Sequence, residues 1–261
     1  MSFLNSIVAQ VLGLEVSFHH AYARLACRTD SEALHDLRIS LRKLRSLLKP
    51  MRRLNAPHTL DEAAADVGRL TTPVRDLEVL IGELDRQGFH LLAARRRELV
   101  ESSYSAIIGN STVRQFVSVL DEWPARMRQA ERDRELEHLR DRVKTRLQRQ
   151  AKVLRQALAD PAYNRHTLRL LVKRMRYAHE AYPKVLVISS ETANALKKVQ
   201  SALGDWHDHF QWCLKAEHEQ DLLVLKDYWA VAAKAELKAA EAELLVLTQC
   251  LDSDSNRLPS C

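Results

Sequence analysis

A set of phosphate-seeking side chains with the spacing of one helix face occurs twice in this 261-residue chain. His35, Arg38, Arg42 and Arg45 stand at offsets 0, +3, +7 and +10, and His166, Arg169, Lys173 and Arg176 repeat those offsets 131 residues later. At about 100° per residue the offsets collapse onto a stripe about 80° wide on one face of a helix, whereas a strand would scatter them over both faces. The apolar residues of the same segments keep helical register: Leu37, Leu41, Leu44 and Leu48 in the first, Leu168, Val172 and Met175 in the second. They fill an arc that abuts the basic stripe. An ordinary amphipathic helix opposes its charges to its buried face; here the cations fall at the rim of the core, where they line a groove or cavity.

A second echo follows each stripe. Val-Gly-Arg-Leu-Thr-Thr-Pro-Val-Arg-Asp, from Val67 to Asp76, corresponds 132 residues on to Val-Gln-Ser-Ala-Leu-Gly-Asp-Trp-His-Asp, from Val199 to Asp208. A period near half the chain is too long for a solenoid and implies duplication of a helical unit of about 130 residues. Six Gly and seven Pro leave little turn chemistry for an all-β fold, and 46% hydrophobic residues supply a core. The expected fold is therefore all-α, two similar helical bundles packed about an internal pseudo-two-fold axis, with the two basic helices sharing one polyanion site.

Helical periodicity and its stops divide the chain further. Helices are expected over 3–27, from a Thr29–Glu32 capping box to Pro50, from a Thr59–Glu62 box onward, and from Pro73 to about Gln87. Others are expected over 89–108, 111–122, 163–181, 190–215 and 217–250, with Gly109-Asn110 and Pro183 as stops. Residues 124–158 carry eleven Lys/Arg against five Asp/Glu, a surplus of six that equals the net charge of the whole chain. Their signs alternate at helical neighbours, so 124–159 reads as one long solvated helix joining a half at about 1–123 to a half at about 160–251, with 252–261 a loose tail.

The net charge of +6 favours acidic partners. Cys27, Cys213, Cys250 and Cys261 form no Cys-x-x-Cys pair and no secretory signal is visible, so reduced thiols in the cytoplasm are expected. No apolar run is long enough to span a bilayer. His19 and His20 are adjacent and His207 and His209 two apart, spacings that set no metal, and phosphate-binding Gly-rich loops and Ser-hydrolase elbows are missing. No cofactor and no catalytic residue are expected. Arg forks, Lys point charges and His match a repeating phosphate. Asp36, Asp76, Glu180 and Asp208 are read as salt-bridge partners or caps that steady the array. A nucleic-acid-binding module gripping the phosphate backbone is the alternative, although only Tyr177 accompanies the stripes as an aromatic platform. A phosphohydrolase is a more distant one.

Four segments carry a resemblance to a known family: His35-Asp-Leu-Arg-Ile-Ser-Leu-Arg-Lys-Leu-Arg45, Arg75-Asp-Leu-Glu-Val-Leu80, His166-Thr-Leu-Arg-Leu-Leu-Val-Lys-Arg-Met-Arg-Tyr177 and Gln200-Ser-Ala-Leu-Gly-Asp-Trp-His-Asp208. In this order, over nearly the whole chain, they resemble the CHAD family, the conserved histidine α-helical domain. The resemblance implies two four-helix-type bundles with internal pseudo-symmetry about a central basic channel and non-enzymatic binding of inorganic polyphosphate by a stand-alone module, with polyphosphate granules as a place of action. By position it implies His35, Arg38, Arg42, Lys43, Arg45, His166, Arg169, Lys173, Arg174 and Arg176 as ligand contacts, and Arg75 as a weaker one. Lys43 and Arg174 lie off the stripe, at +8. Thr71-Thr72 departs from the Leu-Gly usual ahead of Arg-Asp.

Overall fold

A computed structural model describes residues 2–257 as nine α-helices and two short 3-10 turns, with no strand among the described residues. The helices are α1 (Phe3–Cys27), α2 (Ala33–Leu48), α3 (Asn55–Arg86), α4 (His90–Ile108), α5 (Ser111–Arg132), α6 (Leu139–Leu158), α7 (Arg165–Ala181), α8 (Ser190–Ala216) and α9 (Leu223–Arg257). The chain separates into two compact units, Met1–Val143 and Lys144–Cys261, and the division falls inside α6.

In the first unit α2 packs on α1 and α3, and α3 packs on α4 and α5. The apolar arc read from the sequence is the contact surface of α2, since Leu37, Leu41, Leu44 and Leu48 are all buried. Phe18 of α1 meets Phe116 of α5 edge to face, with ring centroids 4.8 Å apart, and both side chains are buried. Tyr22 donates a hydrogen bond from its hydroxyl to the Ile108 carbonyl at 2.6 Å, tying α1 to the end of α4. At the end of α3, Gly88 takes a φ of 80°, and the Phe89 N–H reaches back to the Leu84 carbonyl at 2.8 Å. Glycine adopts this left-handed conformation without the Cβ penalty, which lets the chain reverse into α4 within three residues.

In the second unit α8 packs on both α7 and α9. Leu168, Val172 and Met175 of α7 are buried, as the register of the second stripe requires. Trp212 of α8 lies against the fully buried Trp229 of α9, with centroids 5.6 Å apart. Ser189 caps α8 by accepting the Thr192 N–H, and its own N–H donates to the buried Asp254 carboxylate of α9 at 3.0 Å. That bond requires α9 to be helical beyond residue 251.

Several boundaries differ from expectation, each for a physical reason. The long helix over 124–159 does not exist: α5 runs on through Pro124 to Arg132, and α6 starts only at Leu139. Trp123, Met127 and Ala130 continue the buried stripe of α5, and then Asp133, Arg134 and Glu135 offer nothing apolar to extend it. The helix closes there with Arg134 in the left-handed region and the Glu135 N–H on the Ala130 carbonyl at 3.0 Å. The first unit therefore holds five complete helices rather than four. Likewise α3 is one helix of 32 residues, with Pro73 inside it and Thr59 hydrogen-bonded back to Asn55 instead of capping a start. The Thr29–Glu32 box does not form either: Asp30, not Thr29, accepts the Glu32 N–H, because two bonds from Arg24 hold the Asp30 carboxylate at that turn. The expected tail at 252–261 is helical through Arg257, and 258–261 lie outside the described residues.

The aromatic contact between α1 and α5 joins the N-terminal helix to a helix about a hundred residues later. Phe116→Ala is expected to lower stability by about 3–5 kcal/mol, read as a shift of the urea midpoint without loss of helical circular dichroism at low denaturant.

Candidate functional site

Each stripe helix lies against the helix that carries the following echo segment, α2 on α3 and α7 on α8. In the first unit this brings Arg75 of α3 to the stripe. Arg75 acts on the ionisation of both His35 and Arg38, as does Arg42. His35 is pushed below its ordinary value, by burial first and by the Arg75 guanidinium next, with Glu32 opposing. Arg38 is lowered by burial and then, against the opposing pull of Asp76, by Arg42 and Arg75. Charges of one sign are thus held together where water screens them poorly.

Arg38 is the best-anchored member of the cluster. One of its Nη atoms donates to the Gly68 carbonyl at 3.1 Å, to Thr71 Oγ1 at 2.8 Å and to Thr72 Oγ1 at 3.1 Å. Those hydroxyls in turn donate to the Val67 and Gly68 carbonyls. The Thr-Thr pair that departs from the usual Leu-Gly therefore holds this arginine against α3. Arg38 Nε is buried and has no hydrogen-bond partner among the described residues.

Arg45 is placed differently. Its Nε donates to Asp61 at 2.9 Å, and the Asp61 carboxylate is only 5% exposed. This residue fastens α2 to α3 by satisfying a buried acid. Lys43 is exposed, as its position off the stripe requires. Arg24 of α1 takes up Asp36 at 2.6 Å.

The second unit repeats the arrangement with a histidine where the first has an arginine. His207 of α8 corresponds to Arg75 in the echo, and its ring lies 4.6 Å from that of His166, centroid to centroid. Burial, followed by the neighbouring Arg169, His166 and Lys173, lowers its pKa to about 4. Its Nδ1 is buried and has no hydrogen-bond partner among the described residues. Arg176 bonds Glu180 at 2.9 Å and lies over the Tyr177 ring, 5.3 Å from its centroid, while Arg174 is exposed.

The structure thus gathers His35, Arg38 and Arg42 with Arg75, itself paired with Glu78 at 2.8 Å, in one unit, and His166, Arg169 and Lys173 with His207 in the other. Arg45 and Arg176 lie on the same helices in ion pairs. His207 was not among the residues picked from the sequence; the signal was its alignment with Arg75 in the echo. A cleft of about 530 Å³ opens beside Arg75 between the α1–α2 turn, α3 and α4. Arg28 and Arg97 there are paired with Glu101 and Asp85, and Asp30, Glu32 and Glu78 complete a wall of mixed sign. It lacks the single sign that a polyanion requires. Cys27, Cys213 and Cys250 are free, and no described helix is long and apolar enough to cross a membrane.

The CHAD domain family matches residues 14–214, which covers both stripes and both echo segments, and the chain belongs to that family. The fold is similar to the crystal structure of the CHAD domain from the plant Ricinus communis, with a TM-score of 0.69 and 22% identity over 95% of this chain and 91% of that one. No curated protein matched the sequence.

Two outcomes follow from the geometry. Arg45→Ala leaves the Asp61 carboxylate buried without its cation and is expected to cost about 1–3 kcal/mol of unfolding free energy, whereas Lys43→Ala changes the urea midpoint little. The native state of His207 releases its proton near pH 4 and the unfolded chain near the ordinary histidine value of 6.5. The unfolded state therefore binds the proton first as pH falls. Stability is fully present above about pH 6.5 and declines towards pH 4, and His207→Gln is expected to flatten that part of the midpoint-against-pH curve.

Proposed function

We propose that the protein binds inorganic polyphosphate, without turning it over, through the cationic clusters on α2–α3 and α7–α8. The observation that most favours this reading is the crowding of like charge: Arg42 and Arg75 both act against the charged forms of His35 and Arg38, as Arg169 and Lys173 act against that of His207. A partly buried array in which cations crowd one another, even with Arg75 paired to Glu78 at 2.8 Å and Asp76 pulling on Arg38, raises the free energy of the unliganded protein. A ligand carrying one negative charge at each phosphoryl unit relieves it at every position. Arg guanidinium groups match phosphoryl oxygens with two parallel donors, while Lys173 contributes a compact charge. The association of the CHAD family with polyphosphate binding supports the same reading. Polyphosphate granules in the cytoplasm are the proposed place of action.

Nucleic acid is the runner-up because Trp206 and Phe210, on either side of His207 in α8, are stacked with centroids 5.8 Å apart and offer a platform for a base. A direct competition separates the two ligands. Long-chain polyphosphate is expected to displace a labelled oligonucleotide and to bind with an affinity that falls steeply with salt, since each neutralised phosphate releases counterions. Failure to displace it, together with weak polyphosphate binding at moderate salt, would overturn the proposal.

Charge reversal locates the site. Arg42→Glu with Arg75→Glu, and separately Arg169→Glu with Lys173→Glu, are each expected to weaken polyphosphate binding at least about tenfold, about 1.4 kcal/mol or more. Arg146→Glu with Arg149→Glu on α6 removes as much charge and is expected to do much less. Equal losses from all three would mean diffuse attraction with no defined site. Unchanged chain length after long incubation with Mg²⁺ is the expected result for a binder, and shortening would reveal an enzyme.

A further inference from the structure

One cluster of ligating side chains lies apart from the basic stripes. Glu15 and His19 stand one turn apart on α1, and Asp121 of α5 reaches the same place. One ligand atom from each residue lies within 4.8 Å of those from the other two. Residues four apart on a helix share a face, so α1 presents a carboxylate and an imidazole side by side. The Phe18–Phe116 contact links α1 to α5, and the Phe18 ring also meets the His19 ring edge-on at 5.7 Å. The cluster therefore stands on two helices joined by an aromatic contact rather than on loops, which is the support a preorganised site requires.

The chemistry of the cluster calls for a cation. Two carboxylates held face to face are relieved by a proton or by a metal ion. The imidazole beside them narrows the choice: Mg²⁺ and Ca²⁺ favour all-oxygen surroundings, whereas a mixed set of two carboxylates and an imidazole suits first-row transition ions. We propose that Glu15, His19 and Asp121 bind a divalent transition ion, with Zn²⁺ as the representative, leaving at least one coordination position to water. The ion would link α1 to α5 and stabilise the first unit, because the ligands come together only in the folded chain. Sequence spacing shows only the Glu-x-x-x-His half of the set; the third ligand lies far along the chain.

The test uses the full chain after chelator treatment. Calorimetric titration with Zn²⁺ alone is expected to show one saturable site per chain, with Mg²⁺ at least about tenfold weaker, and Zn²⁺ is expected to raise the melting temperature. Co²⁺ should give a visible absorption band that reports the imidazole ligand. His19→Ala and Asp121→Asn are each expected to weaken Zn²⁺ binding at least about tenfold and to reduce the Co²⁺ band. Both residues are exposed, so the metal-free melting temperature and polyphosphate binding should stay as in the parent protein. Absence of saturable Zn²⁺ binding would overturn the proposal, as would binding unchanged in both variants, which would place the ion elsewhere. Equal affinity for Mg²⁺ would overturn the assignment to a transition ion.

Discussion

The placement of a row of cations immediately beside a buried leucine arc, on the same helix, governs the chemistry of this protein. Burying Leu37, Leu41, Leu44 and Leu48 against neighbouring helices forces Arg38 and Arg42 to the rim of the core instead of into open solvent. The same packing brings α3 alongside α2, and Arg75 with it. Apolar burial, worth roughly 1.5–3 kcal/mol for each large side chain, is what holds these like charges together. Each stripe therefore crowds like charges that packing holds in place.

The two units arrive at similar clusters by different local means. In the first, Arg38 is fixed by the Gly68 carbonyl and the hydroxyls of Thr71 and Thr72, and Arg45 is committed to the buried Asp61. In the second, Leu203 and Gly204 stand where the threonines do, so Arg169 has no equivalent hydroxyls at those two positions of α8. There the second helix contributes His207, whose burial among cations leaves it neutral at ordinary pH. The first unit thus adds a permanent charge from its second helix, and the second unit adds a group whose charge depends on its surroundings. A repeated sequence pattern need not preserve one chemistry at matched positions.

Much of the fold was legible because it depends on local periodicity. The extents of α1 and α4, the stop at Gly109-Asn110 and the buried arcs of α2 and α7 all follow from side-chain spacing and from residues that end helices. The continuity of α3 and the break between α5 and α6 were not legible in the same way. Pro73 lies inside α3 between the buried Thr71 and Val74, so a residue that usually starts a helix does not start one here. At Asp133–Glu135 the charges alternate as a solvated helix would have them, yet the apolar stripe of α5 has ended and the chain turns so that Leu139 and Val143 are buried.

By itself the sequence determined that the chain is helical, that it carries two cationic stripes on comparable helices, and that each stripe borders a core; these depend on spacing within a few turns. Tertiary structure decided what each cation does. Arg45 and Arg176 are of the same residue type and stand at the same offset as each other, but one meets a buried Asp61 and the other a nearby Glu180 and the Tyr177 ring. His207 gains its depressed pKa, and the Glu15–His19–Asp121 cluster its three ligands, only when helices distant in sequence pack together. The reason is one of range: helical periodicity is written in neighbours three and four residues apart, whereas burial, charge crowding and convergence of ligands depend on which helix lies alongside.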